Sequence, residues 1–260
     1  MTSSPALAKT AARLAGAGCV FAAEEARLLI DNADGPDELA ALVSRRVSGE
    51  PLEHILGWVE FDGLHLRVGP GTFVPRQRSL FVAELAVAEA RSRNSCLVLE
   101  MCSGVAPIAA VVARDVPGAR VVASDRGASA EYARANVPAA AVYVGDLFEA
   151  LPDELRGTVG VLAAVPPYVP DDAAGQLPRE AREFEPSEAL LGGHDGLAIV
   201  RRILCDAPGW LDDASVVLLE MHRSQTAGAA VEAAACGFSA EAVASPDEQT
   251  AVLRCTAPSQ

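Results

Sequence analysis

The sequence predicts an α/β protein: a mostly parallel, doubly wound sheet behind a small helical N-terminal segment. Two observations carry this. From Leu97 onward, short apolar runs of strand length alternate with runs of helical period. Before that, roughly the first 60 residues show helical period alone.

The N-terminal segment reads as three helices. Ala11–Gly18 is the first. Ala22–Asn32 is the second, with Ala26, Leu29 and Ile30 on one face. Asp37–Ser48 is the third, entered through Gly35-Pro36 and left at Gly49. Glu60–Val68 then alternates around Gly63 as a short hairpin, turns follow at Gly69–Gly71 and Pro75, and Ser79–Arg93 is helical.

Leu97–Glu100 is the first strand of the repeating pattern, followed by a helix at Ala106–Arg114 with Pro107 in its first turn. Arg120–Asp125 and Ser129–Asn136 repeat the pair. Val142–Val144 and Val159–Ala164 are further strands, and Asp195–Leu211 is a long helix. Ser215–Glu220 is a strand and Ser224–Cys236 a helix. Phe238–Ala244 and Thr250–Cys255 close the chain as antiparallel strands. Such alternation builds a parallel sheet with helices on both faces.

Composition removes several function classes. Half of the 260 residues are hydrophobic and 22% are charged, a globular balance. The net charge of −14 argues against a nucleic-acid partner, because phosphate backbones are gripped by clustered Lys and Arg. No stretch reaches ~18 uninterrupted apolar residues, so no membrane span is expected. Met1–Thr10 lacks an apolar core, so a cytoplasmic location is expected. Cys19, Cys96, Cys102, Cys205, Cys236 and Cys255 form no C-x-x-C pair and have no His at ligand spacing. Neither a metal site nor a disulfide framework is expected, and most of the cysteines should be small buried residues.

In doubly wound sheets ligands bind beyond the carboxyl ends of the strands, at the switch point. Glu100-Met101-Cys102-Ser103-Gly104-Val105-Ala106 follows the first strand, and Gly104 permits close approach of backbone to ligand at a helix N-terminus. Asp125, beside Arg126, ends the second strand roughly 20 residues on, where a carboxylate can accept from ribose hydroxyls or simply cap the next helix. Gly145-Asp146-Leu147 follows the third, where Asp146 can accept from a base amino group with Leu147 against the ring, or form an ordinary turn. Val165-Pro166-Pro167-Tyr168 follows the fourth: a backbone stiffened by two prolines, with a flat hydroxyl-bearing face. No G-x-G-x-x-G turn is present, which argues against a dinucleotide oxidoreductase. His54, His65, His194 and His222 are dispersed, Trp58 and Trp210 suit packing, and the charged stretch around Arg179 and Arg182 suits a solvated face or lid.

Taken in this order, the motifs resemble the class I S-adenosylmethionine (AdoMet)-dependent methyltransferases. More narrowly they resemble the HemK/PrmC protein-glutamine methyltransferases, and within these an actinobacterial branch. Gly49–Gly57 is similar to the family's interdomain segment, and Phe73-Val74-Pro75-Arg76 to the start of its Pro-Arg motif. Glu185-Pro186, Ala189-Leu190, Gly193 and Asp195-Gly196-Leu197 are similar to the segment after its catalytic loop, and Glu220, Gln225 and Gly237-Phe238 to its C-terminal part.

The resemblance implies a seven-stranded Rossmann-like methyltransferase domain at 76–260, a connecting hairpin at 59–75 and a helical, substrate-recognising domain at 1–58. It implies AdoMet as cofactor. Glu100, Cys102, Gly104 and Ala106 would lie under the methionine moiety, Asp125 and Arg126 by the ribose, and Asp146 and Leu147 by the adenine. Val165, Pro166, Pro167 and Tyr168 would form the catalytic loop, and the acceptor would be a glutamine side-chain amide of a protein.

The sequence departs from the family pattern where it bears on chemistry. The family loop opens with Asn, whose amide helps hold the substrate amide; here Val165 has no polar side-chain atom. Loss of such a partner leaves a buried polar group unpaired at about 1–3 kcal/mol. The cofactor loop has Glu100, Cys102 and Ala106 where Asp and glycines are usual, and Ser79-Leu80 stands for Thr-Glu. A protein or small-molecule acceptor therefore stays open. So do an AdoMet enzyme of non-methylating chemistry and a catalytically silent AdoMet-binding or regulatory protein.

Overall fold

A computed structural model of the chain describes residues 5–93 and 96–257. Four helices come first: α1 (Pro5–Gly16), α2 (Ala22–Asp31), α3 (Pro36–Val47) and α4 (Leu52–Leu56). They bury Leu14, Ala26, Leu29, Val43 and Ile55 in a cluster of their own. α3 shows why these residues are helical. Pro36 opens it, Asp37 and Glu38 sit in its first turn, and Arg45 and Arg46 in its last, each matching the helix dipole. The short α4, not anticipated from the pattern, starts at Pro51 and stops at Gly57 in the left-handed region.

A two-stranded hairpin follows, β1 (Trp58–Phe61) and β2 (Leu64–Arg67), turning at Asp62-Gly63 with both residues at positive φ. Its Val59, Phe61 and Leu66 pack into the core of the α/β part, not into the helical cluster. Asn136 fixes it there, accepting from the Arg67 N–H and donating to the Arg67 carbonyl.

The remainder is α5 (Leu80–Arg91), β3 (Leu97–Met101), α6 (Pro107–Asp115), β4 (Arg120–Asp125), α7 (Ala130–Asn136), β5 (Ala141–Val144), β6 (Val159–Ala164), α8 (Arg179–Phe184), α9 (Ala198–Asp206), β7 (Leu211–His222), α10 (Thr226–Ala235), β8 (Ser239–Ala244) and β9 (Thr250–Thr256). The seven-stranded sheet has the order β5-β4-β3-β6-β7-β9-β8, with β9 antiparallel to both its neighbours. Strand side chains alternate between two apolar layers. Val98, Val161, Ala163 and Leu218 face α5 and α6, whereas Leu99, Leu162, Leu219 and Leu253 face α9 and α10.

Several expectations need correction. The helix expected over Asp195–Leu211 runs only from Ala198 to Asp206, and Pro208 turns the chain through a single 3-10 turn before β7. The charged stretch at Arg179 forms the short α8, with Arg179, Arg182 and Glu183 exposed, which agrees with the solvated face expected there. Only Cys96 and Cys255 are buried; Cys19, Cys102 and Cys236 are half-buried and Cys205 is exposed. No described helix is long and apolar enough to cross a membrane, and no described group of His, Cys, Asp and Glu could hold a metal.

The switch point lies between β3 and β6, because the chain crosses from β5 to β6 there. The loop from β3 to α6 is sharply turned. Cys102, Gly104 and Ala106 all have positive φ, at 53°, 53° and 64°. Glu100, 2% exposed, lies beneath this loop and accepts from the Ile108 and Ala109 N–H groups in the first turn of α6, at 3.2 and 2.7 Å. Those bonds favour the carboxylate, but burial outweighs them and pushes the Glu100 carboxyl up to about 8 from 4.5.

Two predictions follow from this loop. Ala106→Gly relieves a left-handed alanine and should raise the unfolding free energy by about 0.5–1 kcal/mol in denaturant titrations; a loss would mean that the buried methyl outweighs the strain. Between pH 4.5 and 8 folded Glu100 holds a proton that unfolded Glu100 has released. Its contribution to stability is therefore greatest below pH 4.5 and falls as the pH rises toward 8. Denaturation of Glu100→Gln across this range should show the variant gaining on the wild type as pH rises; parallel curves would contradict it.

Candidate active site

A cavity of about 610 Å³ opens at the carboxyl ends of β3, β4, β5 and β6. Its walls include Glu100, Cys102, Gly104, Asp125, Arg126, Asp146, Leu147, Val165 and Pro167. Most residues singled out in the sequence therefore meet in one place. Ala106 is fully buried and does not line it, though its neighbours Val105 and Pro107 do.

Asp125 is the hinge of the arrangement. One carboxylate oxygen accepts from the Gly104 N–H at 2.8 Å, the other from the Gly127 N–H at 3.3 Å. It thus ties the β3–α6 loop to the end of β4 and keeps lone pairs free toward the cavity. It does not cap α7, whose side-chain cap is unmade. Glu100 borders the cavity, and its carboxyl group accepts from the first turn of α6 below the loop. Cys102 is half-buried on the cavity wall, and burial pushes its thiol up to about 12.

Asp146 is held by two arginines. Arg202 from α9 donates to both carboxylate oxygens at 3.1 and 3.0 Å, and Arg126 donates to one at 2.9 Å. These cations hold its carboxyl below the usual range, Arg202 foremost. Arg202 and Arg126 together fix Asp146 on the cavity wall. Leu147, at φ 50°, is buried on the wall beside it.

The Val165–Tyr168 loop separates this cavity from a second, of about 240 Å³. Val165, Pro167, Phe73, Arg76 and Ala189 line both; Pro166, Tyr168, Arg78 and Glu180 line the second alone. The loop is fixed from behind. Gln225 donates to the Tyr168 and Asp195 carbonyls at 2.9 and 3.0 Å, and the Gly192 N–H donates to the Val169 carbonyl at 2.9 Å. A Cβ on Gly192 would lie 2.4 Å from the Pro167 carbonyl oxygen, and one on Gly196 would lie 2.2 Å from that of Tyr168. Only glycine lets these segments approach.

Arg76 donates to both oxygens of Glu185 at 2.7 and 2.8 Å, and its guanidinium stands 4.8 Å over the Phe73 ring. The Glu185 carboxylate is fully buried; burial pushes its carboxyl up, against the pull of Arg76. Arg46 of α3 reaches the same region, pairing with Glu25 at 2.6 Å and with Glu180 of α8 at 2.9 Å. Glu180 and Arg78 were missed as pocket residues, since neither lies at a strand end. Glu220 is buried beside Ser79, whose hydroxyl donates to it at 3.1 Å, while its other oxygen has no partner. Burial pushes its carboxyl up to about 7. His194 is exposed and lines neither cavity; His54 is buried, with a ring nitrogen 3.1 Å from the Thr72 carbonyl. Trp58 stacks on His65 and Trp210 on Phe148, as packing residues.

The cavity fits a nucleoside bearing an amino-acid arm. Its volume lies in the range of small-molecule sites. A Cβ on Gly104 would project into open space, so the backbone there is bare toward the cavity. Ser103 Oγ, on the wall, is buried without a hydrogen-bond partner.

No family model matches the chain. A release factor glutamine methyltransferase of Mycolicibacterium smegmatis is 37% identical over 217 residues, spanning 81% of this chain and 76% of that protein. A 4-amino-L-phenylalanine/4-methylamino-L-phenylalanine methyltransferase of Streptomyces pristinaespiralis is 35% identical over 193 residues, 71% of this chain and 65% of that protein. A solved methyltransferase from Pyrococcus furiosus shares the fold, with a TM-score of 0.55 at 16% identity over 75% of this chain and 90% of that one. With strand order, site geometry and sequence in agreement, the chain belongs to the release factor glutamine methyltransferase family and is an AdoMet-dependent methyltransferase.

Proposed function

We propose that this methyltransferase acts on a small-molecule nucleophile in place of a glutamine side-chain amide. The observation that carries the reading is Val165, which lies on the wall shared by the two cavities and presents no donor or acceptor there. An amide needs both at its edge, and a backbone carbonyl supplies only the acceptor. A small apolar or aromatic body gains from the same surface, which joins Val165, Phe73, Pro167 and Tyr168. The relative from Streptomyces pristinaespiralis is named for such an acceptor, an aromatic amine on an amino acid.

When bound, AdoMet supplies an electrophilic methyl on a sulfonium, so the protein's task is alignment and exclusion of water. In this reading Gly104 and its neighbours in the 100–106 loop hold the methionine arm. Asp125 takes the ribose hydroxyls, and Asp146 with Leu147 borders the adenine. Glu100 and Arg126 act at one remove, the first by bracing the loop on α6 and the second by aiming Asp146. The Val165–Tyr168 backbone is held from behind by Gln225 and Gly192, which fixes the wall that the acceptor meets.

Charge on the acceptor side points the same way. Arg76 is neutralised by Glu185, and Glu180 by Arg46. Arg78 is exposed and has no ion-pair partner among the described residues, so its guanidinium is available to a carboxylate on the acceptor. The helical segment adjoins this cavity through Arg46 and Glu180, which suits a role for it in admitting the acceptor.

The test is methyl transfer followed by mass spectrometry, with 4-amino-L-phenylalanine and a glutamine-bearing peptide as competing acceptors. Wild type should methylate the amine in preference. Arg78→Gln should raise the KM for the amine about tenfold, the size of one lost charged hydrogen bond. Val165→Asn should raise activity on the peptide. Preference for the peptide by the wild type would overturn the reading, and binding of AdoMet with transfer to neither would favour the catalytically silent alternative.

A further inference from the structure

Two cysteines 31 positions apart in the chain meet on the face of the sheet away from the hairpin. Cys205 lies in the last turn of α9, and Cys236 follows α10 as its C-cap. Their sulfur atoms are 2.6 Å apart. That is only about 0.5 Å beyond a disulfide bond and far inside the separation of two thiols that merely pack. The backbone around them is already in register. Arg201, one turn before Cys205, donates to Glu232, one turn before Cys236, at 2.8 Å. No large movement is therefore needed to join the sulfurs. Cys205 is exposed and Cys236 half-buried, so a small reagent reaches the pair from solvent. The other four cysteines have no such neighbour among the described residues.

We propose that Cys205 and Cys236 are a redox-active pair that closes to a disulfide and reopens. The oxidant is a low-molecular-weight disulfide. The Cys205 thiolate attacks one of its sulfurs and releases one small thiol, leaving a mixed disulfide. The Cys236 thiolate then attacks the Cys205 sulfur, forming the protein disulfide and releasing the second small thiol. Two cysteine protons are lost and two small thiols are gained, so electrons and atoms balance. The bond fastens the last turn of α9 to the end of α10. α9 carries Arg202, which holds Asp146, and Ile199, which lines the large cavity. Closing the pair thus pins the helix that forms one wall of the cofactor site to its neighbour.

The experiment is equilibration of the purified full chain with oxidised glutathione, followed by thiol counting and non-reducing peptide mass mapping. Two thiols should disappear, a single peptide pair bridging Cys205 and Cys236 should appear, and dithiothreitol should restore both. Tm should rise by several degrees on oxidation, and Cys205→Ser and Cys236→Ser should each abolish the rise. A glutathione adduct that persists on Cys205 would overturn the proposal, because an adjacent Cys236 must displace it. So would retention of all six thiols, or a bridge between any other two cysteines.

Discussion

The fold is organised around one carboxylate, that of Asp125, placed by β4 where it can receive the Gly104 N–H of the loop after β3. That bond joins adjacent strands at their carboxyl ends and fixes a loop whose Cys102, Gly104 and Ala106 all sit in the left-handed region. Such a backbone costs free energy at each non-glycine position. It persists because it is held from two sides, by Asp125 above and by Glu100 against the first turn of α6 below. The same constraint leaves Gly104 bare toward the cavity, which a nucleoside-bearing ligand requires.

The acceptor side is built on an opposite principle. Its loop is stiff from sequence, through Pro166 and Pro167, and is clamped from behind by backbone contacts that only glycine at 192 and 196 allows. Arg76 and Glu185 then tie the start of the α/β part to the segment following the loop. Substituting the loop's first residue with valine leaves this frame intact. Val165 lines both cavities, so its side chain stands where the cofactor side and the acceptor side meet.

Much of this was legible in the sequence because it rests on local pattern. The strands and the acidic residues at their ends could be read from period and position, and the cavity gathers Asp125, Asp146 and Val165 as that reading implied. What escaped it depends on distant parts of the chain. The motif could not show that Glu100 turns under the loop, since that follows from where α6 begins. The ion pairs of Arg46 with Glu180 and of Arg76 with Glu185 join segments more than a hundred residues apart. The approach of Cys205 to Cys236 depends on how α9 packs against α10. The helix expected over Asp195–Leu211 is shorter for a local reason, because Pro208 ends it in a 3-10 turn.

The central claim is that the cavity at the switch point is the AdoMet site and that Asp125 organises it. Calorimetric titration with S-adenosylhomocysteine, in wild type and Asp125→Ala, tests this most directly. The account predicts micromolar binding in the wild type and a loss of at least about tenfold in the variant, since charged hydrogen bonds of about 1.5–3 kcal/mol are removed. Equal affinity in the two proteins, or no binding to the wild type at millimolar ligand, would contradict it.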